Sequence, residues 1–412
     1  MFTIKRSLIL LFLFSFFFFS VICRKRKTAN FNTLLPYTDM KYYHYYTHKS
    51  GMKVLLIQNE FSLFNGVSMS IDGGVNKEPP NIYGLAHFTE HMMFLGSKKH
   101  PKPSTFVDFV TTNEGRFNGF TEFEKTAFFY KINKNKFEES FDIFSSVFIS
   151  PNFDEKYIQK EVNSVNSEYE RNVQLESRRK DLIIRDIANP NSLFHKFSTG
   201  NKDTLNITNL RDRVIEFFNS TYIPKNMFLV VYGPQSIKEQ KKIVEKSFEE
   251  LNRSNNDNCV ISLNEPSFVK NSIGKLILYE TINVHQDLDI RFYIDNIIST
   301  LPDNFGLYYQ ILFNYKGKGS IGDIMTKKGY ATSIFATLMK TTSQFSFFLV
   351  KAQLTSKGIT HLEDVLSIIF SYINRLKEKS IEKKLYKYIR KSTRLNFFFN
   401  RYKQPIMTMI RN

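Results

Sequence analysis

Polar and apolar positions along the chain change period repeatedly, and each change marks an element. "YYHYYTHKSGMKVLLIQN", residues 42–59, reads as two β runs around a turn at Lys49–Gly51. "GVSMSIDGG", 66–74, alternates and predicts a further strand, and "KEPPN" breaks the chain before the apolar stretch "GLAHFTEHMMFLGSKKH", 84–100. Ser104 is placed to cap a helix over "TFVDFVTTN", and 115–132 is strand-like and rich in aromatics. Phe137, Phe141, Phe144, Val147 and Phe148 then recur at helical spacing. A polar stretch from 154 to about 189 has few breakers and predicts one long helix, ended by Pro190. A helix at 209–219, a strand at 227–233 and a helix from Ser236 follow, and "NRSNNDN", 252–258, is the best linker candidate. Beyond it the pattern restarts: strands near 276–282 and 287–294, helices near 304–328, strands near 332–354, and helices from about 357. Two related α+β units are expected, at 28–255 and 256–412, each a mostly antiparallel sheet covered by helices, the second one cut short.

The N-terminus changes the picture. Lys5 and Arg6 precede an uncharged run at 7–23, and Arg24, Lys25, Arg26 and Lys27 follow it. Residues 1–27 therefore read as a signal peptide or signal anchor, which routes the chain to the secretory pathway; membrane contact is expected only through 7–23, if they stay uncleaved. A chain of 412 residues with 42% hydrophobic residues needs no disulfide staples, and its 2 cysteines, Cys23 and Cys259, form no framework. The net charge of +18 is partly this N-terminal cluster. The remaining basic residues are scattered without an aromatic-interleaved stripe, so they read as a solvated lysine-rich surface, and no nucleic-acid partner is expected.

The chemistry concentrates in the apolar stretch. With only 8 His in the chain, His87 and His91 stand four apart, with Glu90 beside the second. On a helix, positions four apart lie on one face, so both imidazoles point the same way. Two neutral imidazoles supply two of the three protein ligands of a catalytic zinc, and a nearby carboxylate is placed to act as general base. For a third ligand "KEVNSVNSEYERN" offers Glu161, Glu168 and Glu170; the first two are seven apart and share a helical face. Spacing alone does not choose among them.

"HFTEH", with Glu168 lying 77 residues after His91, together with "PPNIYGLAHFTEHMMFLGSKKHP", "FNGFT", "FDEKYIQKEVNSVNSEYERN" and "HKFSTGNKDTL", resembles the insulinase/pitrilysin (inverzincin, M16-type) metallopeptidases, most of all the insulysin-like enzymes. The resemblance covers about residues 40–395 and is densest in the first unit. It implies the LuxS/mitochondrial-processing-peptidase-like fold and a zinc-dependent endopeptidase with one Zn2+ per chain. By the same resemblance His87, His91 and Glu168 bind the metal, Glu90 activates the water, and Glu161 supports the site from behind. Asn118 and Gly119 match the segment that holds substrate as an added strand, and Phe94 and Phe120 match the wall of the pocket past the scissile bond. Peptides are the implied substrates. The family's smaller members also imply a C-terminal-half partner chain or a homo-oligomer, and a non-catalytic or partner-dependent peptide-binding subunit is the alternative reading. The chain departs from the insulysin-like pattern at Arg178, where that pattern has Trp, and at Ala336 and Thr337, where it has a glycine pair. "NYKGKGS", 314–320, lacks the spacing of a phosphate loop.

Overall fold

The computed structural model describes residues 29–31, 33–253, 265–282, 286–295 and 304–399. The expected leader at 1–27 with its apolar run at 7–23, both cysteines and most of the linker at 252–258 lie outside the described residues. Among the described residues no helix is long and apolar enough to cross a membrane.

The first sheet is built from β1 (Tyr42–Thr47), β2 (Lys53–Gln58), β3 (Phe64–Asp72), β4 (Arg116–Thr121), β5 (Lys125–Asn133) and β6 (Met227–Gly233), in the order β1-β2-β6-β3-β5-β4. All neighbours run antiparallel except β2 and β6, which are parallel. Period-two alternation divides its two faces. Val54, Leu56, Val67, Met69, Phe128 and Tyr130 enter one large core, whereas Ile57, Phe129 and Tyr232 form a small apolar cluster on the opposite face.

The helices of this half cover the large-core face, except the fifth, whose Ile184 packs in a separate cluster. They are α1 (Leu85–Met93), α2 (Thr105–Thr112), α3 (Phe137–Ile149), α4 (Glu155–Asn172), α5 (Glu176–Asp186), α6 (Leu210–Thr221) and α7 (Ile237–Ser247). The helical phenylalanines expected from spacing do face this core: Phe148 is fully buried against Phe128 and Phe144.

The second half repeats part of this plan. Its strands β7 (Asp287–Asp295), β8 (Ala331–Lys340) and β9 (Phe345–Leu354) are ordered β7-β9-β8, the same path as β3-β5-β4. Helices α8 (Asn304–Asn314), α9 (Ile321–Lys327), α10 (Ser356–Thr360), α11 (Leu362–Glu378) and α12 (Lys383–Phe399) accompany it. Val350, Ala352 and Leu354 of β9 pack with Phe313, Ile321, Met325, Val365 and Ile369. The other face of β9 presents Phe345 and Phe347 to Phe268 and to Ala188 and Phe194 of the first half, so one aromatic cluster joins the halves. Polar contacts reinforce the joint: Lys180 Nζ lies 3.0 Å from Asp289, and Glu124 accepts hydrogen bonds from Ser343.

The structure corrects three sequence expectations and refines a fourth. The long helix over 154–189 is two helices, broken after Asn172 where Leu175 adopts an extended backbone. No glycine or proline marks the break; tertiary contacts impose it, because Lys180 and Arg185 of α5 are held by Asp287 and Asp289 and by the carbonyls of Phe194 and Lys196. The strand-like run 115–132 is a hairpin, β4 and β5, turned at Glu122–Glu124. Ser104 stands at the start of α2 but has helical backbone angles, and its side chain caps no helix amide. Residues 276–282 form no strand, and Leu278 is 83% exposed. The equivalent β2 of the first sheet pairs with the late-arriving β6, and among the described residues of the second half no strand fills that position.

Phe148→Ala is expected to cost about 3–5 kcal/mol, because a buried phenyl leaves a cavity that a close-packed core closes only in part. Denaturant unfolding compared with the unsubstituted chain measures it.

Candidate active site

The site begins with the entry into α1. Gly84 precedes the helix in the left-handed region (φ 84°), where a Cβ would overlap the backbone of Gly200. The helix then turns Leu85, Ala86, Phe88, Met92 and Met93 into the core and leaves His87 and His91 on the face towards α4. Their rings stand at 88° to each other with centroids 4.8 Å apart.

Each imidazole is oriented from behind. His87 Nδ1 lies 2.7 Å from the Thr199 carbonyl oxygen, which can only accept, so Nδ1 carries the proton and Nε2 keeps its lone pair. His91 Nδ1 lies 3.3 Å from Glu161 Oε2. Both Nε2 atoms converge on a single oxygen, Glu168 Oε2, at 3.7 Å from His87 and 3.6 Å from His91. The other Glu168 oxygen accepts from Asn172 Nδ2 at 3.3 Å. Of the three glutamates that spacing left open, the fold brings Glu168 to the histidines and Glu161 behind His91; Glu170 is exposed and bonded to Asn166.

The three donor atoms lie within 4.8 Å of one another. Tetrahedral zinc with bonds of about 2.0–2.1 Å holds its ligand atoms roughly 3.4 Å apart, so two imidazoles and a carboxylate at these separations fit such an ion by both donor type and spacing.

Electrostatics sort the protons. Burial and the neighbouring His91 lower the His87 pKa. Burial also works against a charged His91, but hydrogen bonds to Glu161 and Glu168 outweigh it and hold that imidazole up at about 9. The bond to His91 holds Glu168 down at about 2. Glu90 stands apart from the trio. It is 6% exposed, and burial raises its carboxyl to about 7. Its Oε2 accepts the Thr121 hydroxyl at 2.8 Å, and its Oε1 fills the space where a side chain on Gly119 would begin.

Gly119 and Thr121 lie on β4, which is paired on one side by β5 and is the outermost strand of its sheet. Asn118 is exposed there, and its Oδ1 accepts the Gly119 amide at 3.0 Å. The two phenylalanines do not share a wall. Phe94 packs on Phe106, Phe117 and Phe128 on the helix side of the sheet. Phe120 faces the opposite way, against Phe129. Spacing placed the phenylalanines of α3, but Phe94 and Phe120 lie on separate elements, and no period relates one to the other.

Sequence reasoning missed Glu78, Thr121, Lys196 and Thr199 as supports of the site. Each sits in a stretch that stood out, "KEPPN", "FNGFT" or "HKFSTGNKDTL", yet their contacts span up to 118 residues and have no periodic signature.

The sequence profile described as "Insulinase (Peptidase family M16)" matches residues 53–195, and that of the "Peptidase M16 inactive domain" matches 209–393. The chain belongs to the insulinase family. The insulin-degrading enzyme of Drosophila melanogaster is 29% identical over 367 residues, which are 87% of this chain and 36% of that protein. The human insulin-degrading enzyme is 30% identical over 334 residues, 80% of this chain and 33% of that one. The crystal structure of pitrilysin superposes with a TM-score of 0.86 at 24% identity, covering 93% of this chain and 42% of that one, and so shares the fold. This chain spans about a third of the length of these insulin-degrading relatives.

Within this insulinase-family fold the departures at Arg178, Ala336 and Thr337 have defined places. Arg178 is exposed on α5. Ala336 is on β8, where its amide donates to Asn314 Oδ1 at 2.7 Å and its carbonyl accepts from Asn314 Nδ2 at 3.1 Å. That main chain is already occupied by a side chain of its own fold.

Gly84→Ala is expected to destabilise the protein by about 2 kcal/mol or more, since the added methyl meets both an unfavourable φ and the Gly200 backbone. Thermal and denaturant unfolding measure the loss.

Proposed function

We propose that this chain is a zinc-dependent endopeptidase that hydrolyses peptide bonds of oligopeptides or small proteins. The observation that carries it is the convergence of His87 Nε2, His91 Nε2 and Glu168 Oε2, with Glu90 left unliganded beside them. His87, His91 and Glu168 would hold the ion. The chemistry such an ion would supply is a water with its pKa lowered towards about 7 and a polarised scissile carbonyl. Glu90 takes a proton from the attacking water and delivers it to the leaving amine, and a carboxyl raised to about 7 by burial serves both transfers. Thr121 fixes the carboxylate through Oε2 and leaves Oε1 over Gly119.

The outermost strand β4 receives the substrate as an added strand, with the Gly119 amide exchanging its bond to Asn118 for one to the peptide. Relatives named insulin-degrading enzymes support a peptide substrate. Residues 7–23 route the chain to the secretory pathway. A second reading is a non-catalytic or partner-dependent peptide-binding subunit of a metallopeptidase complex, and the match of residues 209–393 to the peptidase M16 inactive domain is what favours it.

Glu90→Gln is expected to retain about one zinc per chain while peptide turnover falls by about 10²-fold or more, and His87→Ala or His91→Ala to lose the metal. Metal analysis beside a quenched-peptide assay tests this, and unaltered turnover in Glu90→Gln would remove the base assignment. Peptide binding without turnover in the unsubstituted chain would select the subunit reading.

Zinc loading at pH 7 is also expected to release protons. In the metal-free site His91, at about 9, is protonated, Glu168, at about 2, is ionised, and the lowered His87 is neutral. Loading displaces the proton that the bonds to Glu161 and Glu168 hold on His91, and Glu90 and the water at the ion add to the release. Calorimetry in buffers of different ionisation heat counts them, and a count near zero would contradict the assigned charge states.

A further inference from the structure

The metal-ligating helix begins without a cap of its own. Its N-cap position is Gly84, which has no side chain and which close contact with Gly200 keeps as glycine. The first amides of a helix need acceptors, and buried ones need them most. A carboxylate six residues upstream supplies them. Glu78, 0% exposed, accepts the Ala86 amide at 2.8 Å through Oε1 and the Gly84 amide at 3.3 Å through Oε2.

Glu78 is itself anchored. Buried Lys196 donates from Nζ to the Glu78 carbonyl at 3.0 Å and to the Pro79 carbonyl at 2.8 Å. Arg185 donates to the carbonyls of Phe194 and Lys196 and so ties down the loop that carries this lysine. Three residues on, the same loop presents the Thr199 carbonyl to His87 Nδ1. One loop therefore fixes both the carboxylate that starts the helix and the tautomer of its first imidazole.

We propose that Glu78 is a positioning residue for the metal site: by gripping the Gly84 and Ala86 amides from outside the helix, it sets the rotation of α1 at which His87 and His91 both face Glu168. An acid's paired oxygens suit the place: both accept amides at the positive end of the helix dipole, and those bonds oppose the burial that raises the Glu78 pKa. Without this grip the first turn is free to unwind or rotate, and His87, in that first turn, is the ligand that moves first. The proposal rests on His87, His91 and Glu168 being metal ligands, and the test separates the two.

Zinc affinity is measured by competition with a chromophoric chelator, well below the melting temperature of each protein. The full chain is compared with Glu78→Ala, Glu78→Gln and Phe148→Ala, the last being a core substitution remote from the ligands. Glu78→Ala is expected to weaken zinc binding by about tenfold, in the range that supporting residues of metal sites show. Glu78→Gln, whose amide oxygen still accepts the Ala86 N–H, is expected to recover to within about threefold of the unsubstituted chain. Phe148→Ala is expected to lose stability with its zinc affinity unchanged. Should Glu78→Ala not fold, Glu78→Asp carries the test: its carboxylate is one methylene too short to reach the amides, and affinity is expected to fall several-fold. Unaltered zinc affinity in the folded Glu78→Ala or Glu78→Asp protein overturns the positioning role while leaving the ligands intact. Equal losses in Glu78→Ala and Phe148→Ala also overturn it. Failure of the unsubstituted chain to bind zinc overturns the ligand assignment, and the positioning role with it.

Discussion

The packing of α1 against α4 is the contact on which the site depends. Each helix alone carries an incomplete set: two imidazoles on one, carboxylates on the other. Only their crossing brings Glu168 Oε2 within 3.7 Å of both Nε2 atoms. A displacement of about 1 Å would spoil that meeting, so the buried face of α1 does more than hold a core together. Leu85, Phe88, Met92 and Met93 lock the helix against the sheet, while Val162 and Val165 bring α4 into the same core. Apolar burial is non-directional, and directional bonds supply what it lacks. The Thr199 carbonyl and the Glu161 carboxylate aim the two rings, and Asn172 steadies the third donor.

The same arrangement divides labour between carboxylates of one chemical type. Glu168 is held down at about 2 by its bond to His91, as a permanent anion needs to be. Glu90, a short distance away, is raised to about 7 by burial and softened only in part by the Thr121 hydroxyl. Environments that push two acids apart in this way leave one a fixed charge and the other able to gain or lose a proton near neutral pH. β4 contributes to both assignments: Thr121 provides the hydroxyl, and Gly119 leaves the room into which the Glu90 carboxylate fits.

Much of this was legible along the chain because helical spacing is a local property. His87 and His91 four apart, and Glu161 and Glu168 seven apart, could be placed on shared faces without a fold. What stayed hidden was long-range. The break between α4 and α5 has no sequence punctuation, because contacts of Lys180 with Asp289, 109 residues away, and of Arg185 with the loop after α5 produce it. Strand pattern alone suggested a strand at 276–282, but a strand exists only where a neighbour completes its hydrogen bonds. Glu78 was legible merely as part of a chain break. Phe94 and Phe120, read as one pocket wall, face opposite sides of the sheet.

The strand order carries one more consequence. β6 lies between β2 and β3 although it is the last strand of its sheet to be synthesised. Between Asp72 and Gly233 the ribosome adds 161 residues, about 8–32 s of elongation at about 5–20 residues per second. For that interval the facing edges of two apolar strands wait unpaired, and the nascent chain presents the template for intermolecular strand pairing that sheet proteins otherwise conceal. The order of synthesis thus leaves this edge open until β6 arrives, and only then does the sheet beneath the candidate site close.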